Sequence, residues 1–134
     1  MQNISTKIEW NEQNKIRVRE SDESQVKHLI VKALLMLHIK IKHRPESNWI
    51  KLYSEFPVAK ERICDIYYEN VRTKEEIAYE IQKDISDTWI KQTQEAYRDW
   101  EVYGMNKSDL IIIDLNKLSD DIETLSSEIR RLVI

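Results

Sequence analysis

The densest alternation of apolar and polar positions falls in two adjacent runs. Glu61-Arg-Ile-Cys-Asp-Ile-Tyr-Tyr-Glu69 and Lys74-Glu-Glu-Ile-Ala-Tyr-Glu-Ile-Gln-Lys83 are rich in Ile and Tyr and bounded by polar residues, which predicts two strands. Asn70-Val-Arg-Thr73 between them predicts the tip of a hairpin. Strand side chains alternate faces, so Ala78, Glu80 and Gln82 point one way and Ile77, Tyr79 and Ile81 the other. Upstream, a helix is expected from Ser21 or Asp22, with acidic residues in its first turn as the helix dipole prefers. Val26, Leu29, Ile30, Ala33, Leu34 and Leu37 recur at helical spacing and predict its buried face. Glu23 falls on that face, and His28 and Lys32 fall on the opposite side, one turn apart.

His38-Ile-Lys-Ile-Lys-His-Arg44 alternates with period two and reads either as a strand or as more of the same helix; Pro45 ends it in both cases. Trp49 to Glu55 predicts another short strand, closed by Phe56-Pro57. After the central pair, Ser86 is the expected N-cap of a helix whose buried stripe is Trp89, Thr93, Ala96, Tyr97 and Trp100, with Gly104 in the left-handed position past its end. Asp109 to Leu115 is a continuous apolar run, as in a strand buried on both faces. Leu118, Ile122, Leu125, Ile129 and Leu132 form a heptad-like stripe, which predicts a last helix that packs on the sheet or makes a dimer seam. Two short alternating pieces around Asn11 to Asn14 predict a hairpin over residues 1–19. The order is hairpin, helix, three strands, helix, strand, helix, which predicts one α/β domain of the mixed α+β kind over residues 1–134.

Composition narrows the chemistry. Of 134 residues, 34% are charged and 41% hydrophobic, as in a soluble globular domain. One cysteine excludes an intramolecular disulfide and a cysteine-rich zinc site. One glycine excludes a Walker loop and a GxGxxG turn, and no G-x-S-x-G is present. No apolar run approaches the roughly 18 residues of a membrane span, and no secretory leader is evident, so a cytoplasmic, membrane-free protein is expected. The net charge is −3, which counts mildly against nucleic acid, yet basic residues cluster at Lys15 to Arg19 and His38 to Arg44. Arg17, Arg19, Lys40, Lys42 and Arg44 are the candidate phosphate contacts, and they carry no base-reading pattern.

A carboxylate among apolar strand residues is costly unless it is paired or binds a metal. Asp65 and Glu80 both have this problem, and on neighbouring strands they can meet on one face to hold a hard divalent cation. The alternative is that each faces solvent, or pairs with Arg62 or a lysine.

These motifs, in order, are Arg62-Ile-Cys-Asp65, then Ala78-Tyr-Glu-Ile-Gln82, then a helix from Ile85-Ser-Asp-Thr-Trp to Ala96-Tyr97. The arrangement resembles the PD-(D/E)xK nuclease superfamily, and in particular its competence-protein (CoiA-like) branch. Glu55 before the Arg-x-Asp strand, Glu23-Ser and the His28-x-x-x-Lys32 pair extend the resemblance over about Glu20 to Leu115. It implies a restriction-endonuclease-like core, helix-strand-strand-strand-helix-strand, over residues 20–115, with the hairpin of 1–19 and a helix over 116–134 as additions. It also implies a nuclease that hydrolyses DNA with Mg²⁺ or Mn²⁺ and is selective for junctions, flaps or ends, RNA being left open. Asp65 and Glu80 are the implied metal ligands. Gln82 stands where the superfamily usually has lysine, and a neutral amide supplies no positive charge. Lys32, on the first helix, is the expected substitute, ahead of Lys83. Glu23 is an implied catalytic acid, with Glu55 and His28 in support and a homodimer as a further expectation. The rival expectation is a non-catalytic nucleic-acid-binding or protein-interaction domain on the same fold.

Overall fold

The computed structural model describes residues 23–59, 62–98, 100 and 107–133. The expected hairpin of 1–19, with Arg17 and Arg19, lies outside them, as do Gly104 and the side chain of Glu23. The described elements are α1 (Glu23–Lys42), β1 (Ile50–Ala59), β2 (Arg62–Asn70), β3 (Glu75–Gln82), α2 (Asp87–Ala96), β4 (Lys107–Asp114) and α3 (Ile122–Leu132). Together they make a mixed α+β fold with one four-stranded sheet, ordered β1-β2-β3-β4. β1, β2 and β3 pair antiparallel in sequence, and β4 runs parallel to β3, with α2 in the crossover between them. No helix among the described residues is long and apolar enough to cross a membrane.

Local chemistry accounts for the boundaries. The helix α1 absorbs the period-two stretch after His38 and stops at Lys42; Pro45 then opens a short 3₁₀ turn, Arg44–Glu46. The Asn70 side chain accepts the N–H groups of Arg72 (3.0 Å) and Thr73 (3.1 Å), which folds the chain between β2 and β3. Ser86 caps α2 by accepting Trp89 N–H at 3.1 Å, and Asp121 caps α3 in the same way through Thr124. Pro57 is tolerated in β1 because that strand is outermost in the described sheet.

Two apolar layers cover the sheet. On one face Val31, Leu35 and Ile39 of α1 and Leu125 and Ile129 of α3 pack over Ile66, Tyr68, Ile77, Tyr79, Ile81 and Ile113. On the other, Tyr97 at the end of α2 closes over Val58, Cys64, Tyr67 and Ala78, with Phe56 and Trp100 against them.

The expected stripes are met in part. In α1 the fully buried residues are Val31, Leu35 and Ile39, with Lys32 beside them at 8% exposure, and Ile30 and Leu34 of the expected face pack against the same core from its flank. Ala33 is exposed, and so are Leu37 (40%) and Ile41 (45%). His28 and Lys32 therefore face inward, toward the sheet, and not away from the core as expected. A helix apolar on nearly every side gives periodicity too little contrast to choose a face. In α2 Thr93 and Tyr97 are buried while Ala96 is exposed. In α3 Leu125 and Ile129 point inward, but Ile122 is 60% exposed; the middle of the stripe is spent on the fold. Leu110 to Ile112 of β4 are only half-buried, because β4 is an outer strand of the described sheet and not a central one.

Candidate functional site

The chemistry collects where the β2–β3 ladder ends. That ladder runs from Asn70↔Glu75 to Ile66↔Tyr79, and the next residues along the two strands, Asp65 and Glu80, lie just past its last pair. There a side chain replaces the backbone: Asp65 Oδ2 accepts the N–H of Ile81 at 2.7 Å. Asp65 Oδ1 lies 3.2 Å from His28 Nε2. Across β1, Ser54↔Ile66 and Phe56↔Cys64 bracket Glu55, so it stands opposite Asp65. Glu55 has φ 51, a left-handed backbone that costs a non-glycine residue energy. Its carboxylate lies 3.5 Å from Lys32 Nζ.

The strand rolls at this point. Regular alternation would place Cys64 on the face of Ile66 and Tyr68, yet it packs with Tyr67 and Ala78 on the other face. The roll turns Asp65 toward α1, whose His28 it meets.

Glu80 turns the other way, toward α2. Its Oε1 accepts the Tyr97 hydroxyl at 2.6 Å and Arg62 Nε–H at 3.1 Å. Arg62 also donates from Nη2 to Thr93 Oγ1 at 3.2 Å and sits 5.6 Å above the Tyr97 ring. Burial lifts the Glu80 carboxyl above its ordinary range; the Tyr97 bond and the Arg62 charge pull it back, and the Asp65 charge pushes it further up. Both bonds fall on Oε1. No side-chain oxygen among the described residues is sealed from solvent without a partner, so Oε2 keeps access to solvent. Burial and the Glu80 charge raise the Tyr97 phenol, which stays a donor. Burial, reinforced by Glu80, pushes the Cys64 thiol up to about 12, so it is no nucleophile at neutral pH.

Asp65, Glu55, His28 and Lys32 thus come together on the α1 side, and Glu80 joins Arg62, Thr93 and Tyr97 on the α2 side. Asp65 and Glu80 are close enough to repel but turn apart. Gln82 ends β3, half-buried, beside Asp114 of β4. Lys40 and Arg44 are exposed at the far end of α1, and Lys42 there bonds the Val133 carbonyl at 2.7 Å. From sequence, Thr93 and Tyr97 read as packing residues; their polar heads, one turn apart on one helix face, were the available signal. A cleft of about 610 Å³ opens behind Tyr97, bordered by Gln94, Trp100 and Ser108.

Among the described residues no three His, Cys, Asp or Glu side chains are grouped to hold a metal. That is a poor fit to zinc, which wants such a closed set. A Mg²⁺ site takes one or two carboxylates and keeps several waters; here both Asp65 oxygens are engaged, by Ile81 N–H and His28, and one Glu80 oxygen by Tyr97 and Arg62. No protein-family model matches the chain, and neither a curated protein nor a solved structure matches it.

Proposed function

We propose that this protein is a metal-dependent nuclease with a restriction-endonuclease-like core, hydrolysing DNA phosphodiester bonds at the open end of β2 and β3. The observation that carries this reading is that Asp65 and Glu80 directly follow the last β2–β3 pair, Ile66↔Tyr79, with the Asp65 charge felt at Glu80 although the two side chains turn to different faces. The element order helix, three strands, helix, strand supports it, as an analogy of fold.

Asp65 and Glu80 would hold Mg²⁺ or Mn²⁺ between them once the Glu80 side chain turns from Arg62 and Tyr97 toward Asp65; the ion would polarise the phosphate and lower the pKa of a water. The protein's own part is orientation and charge. His28 and the Ile81 N–H fix Asp65. Arg62 and Tyr97 occupy one oxygen of Glu80 and aim the other outward. Lys32 supplies the cation that Gln82 cannot, from a helix turn next to His28. Selectivity for junctions, flaps or ends belongs to the same proposal.

One observation favours a second reading, a nucleic-acid-binding domain without catalysis: Glu80 already has a cation, Arg62, and faces away from Asp65. Cleavage of linear, circular and branched DNA with Mg²⁺ or Mn²⁺ separates the two. The nuclease cuts, stops in EDTA, and loses more than about a hundredfold in rate in Asp65→Ala and Glu80→Ala. Cutting that survives both substitutions puts the chemistry elsewhere. No cutting by the folded protein on any substrate leaves the binding-domain reading.

A further inference from the structure

The Lys32 ammonium is an ion in search of an anion. Its side chain is 10% exposed, at the inner face of α1, and its one ion pair among the described residues is a 3.5 Å approach to Glu55, whose own side chain is 76% exposed. Desolvating a lysine for so loose and so wet a partner is a poor exchange by itself. The partner is also held at a cost, since Glu55 takes a left-handed backbone at φ 51 inside β1. One turn along α1, His28 contacts Asp65, so the pair sits at the mouth of the site described above.

We propose that the Glu55 carboxylate is a stand-in for a phosphate: it occupies Lys32 in the free protein and is displaced when a nucleic-acid phosphodiester enters. The proposal rests on the nuclease-like reading for where the phosphate comes from, and it adds an anion site made by Lys32 and gated by Glu55. An exposed side chain on an outer strand can swing into solvent without disturbing the core, whereas Lys32, enclosed by α1 and the sheet, stays in place. The phosphate oxygens then take up the charge and hydrogen bonds that the carboxylate leaves.

The test is metal-free, so that binding is read apart from cleavage. Affinity of a fluorescein-labelled DNA oligonucleotide is measured by anisotropy in EDTA, with inorganic phosphate as competitor. Glu55→Gln should tighten binding by about two- to fivefold, the worth of a half-exposed ion pair. Lys32→Met should weaken it and should make Glu55→Gln silent in the double variant. A gain from Glu55→Gln that persists without Lys32 is only a change of net charge and overturns the proposal, as does no gain at all in a protein that folds by circular dichroism. If Lys32→Met does not fold, Lys32→Gln takes its place in the cycle. Competition by inorganic phosphate at low concentration identifies a free-phosphate site and overturns the diester assignment. Coupling between Lys32 and Glu55 without metal-dependent cutting keeps this inference and removes the nuclease reading; cutting without coupling does the reverse.

Discussion

Glu80 is held by Tyr97 and Arg62, and these partners make a prediction. Burial holds its folded pKa above the ordinary 4.5, with Tyr97 and Arg62 offsetting only part of the rise. From 4.5 upward the folded protein then binds the Glu80 proton more tightly than the unfolded chain does, so stability falls as pH climbs through that window. Glu80→Gln keeps an oxygen for Tyr97 and Arg62 and carries no charge. It should raise the melting temperature by a few degrees at neutral pH and change it little in mild acid. A lower melting temperature at neutral pH would mean that the Arg62 pair outweighs the burial cost. A residue held at a cost to the fold is what a functional site needs. The need for a partner was legible in sequence, because a carboxylate between Tyr79 and Ile81 cannot be left alone. Arg62 was among the partners that sequence offered, and it does pair with Glu80; Tyr97 was not, because it comes from the end of a helix beyond β3 and only the crossover brings it over Glu80.

At the scale of elements, α1 is where periodicity misleads and packing decides. Its inward row is Val31, Leu35 and Ile39, while Leu37 lies 40% exposed. Leu35→Ala should therefore cost about 2–5 kcal/mol in urea denaturation, and Leu37→Ala within about 1 kcal/mol. The reverse order would rotate the helix back to the face that its sequence spacing favours. The same rotation moves His28 and Lys32 from solvent to the sheet, which is why a site forms there. In the strands, period-two reading places the β3 residues correctly: Ile77, Tyr79 and Ile81 under α1 and α3, Ala78 on the α2 side, where Glu80 meets Tyr97. It fails at Asp65, because alternation presumes an even pleat and the strand rolls there. The left-handed Glu55 opposite is part of the same irregularity, and no glycine marks it.

For the whole molecule, the decisive fact is that α1 and α3 share one apolar layer with the sheet. Leu125, Ile129 and Val133 are buried against the same residues that α1 covers, and the Lys42–Val133 and His38–Ser126 contacts stitch the two helices together. The helix α3 is therefore integral and not an appendage to a smaller core. Removing residues 119–134 should abolish cooperative unfolding; a shortened chain that still melts in one sharp transition would disprove this. On the α2 side the buried acids Glu69 and Glu76 lie within 3.1 and 2.8 Å of the Tyr67 hydroxyl, and Ser108 donates to Glu76 at 2.6 Å, so this layer too is closed by named partners. Lys40 stands roughly 18 Å along α1 from His28, at 1.5 Å per residue, too far to act on the same phosphate, and Arg44 lies in the turn beyond the end of α1. The sequence by itself determined what local chemistry can determine: the two central strands and their turn, the caps at Ser86 and the stop near Pro45, the α+β order, and which carboxylates needed a partner. Those depend on neighbours a few residues apart. The tertiary structure alone decided which face of α1 is buried, that Asp65 turns to His28 while Tyr97 closes on Glu80, and that Lys32 is enclosed beside Glu55. Each of these is a contact between distant segments, fixed by the close packing of helices on a sheet that is bent at one residue, and no local pattern carries that information.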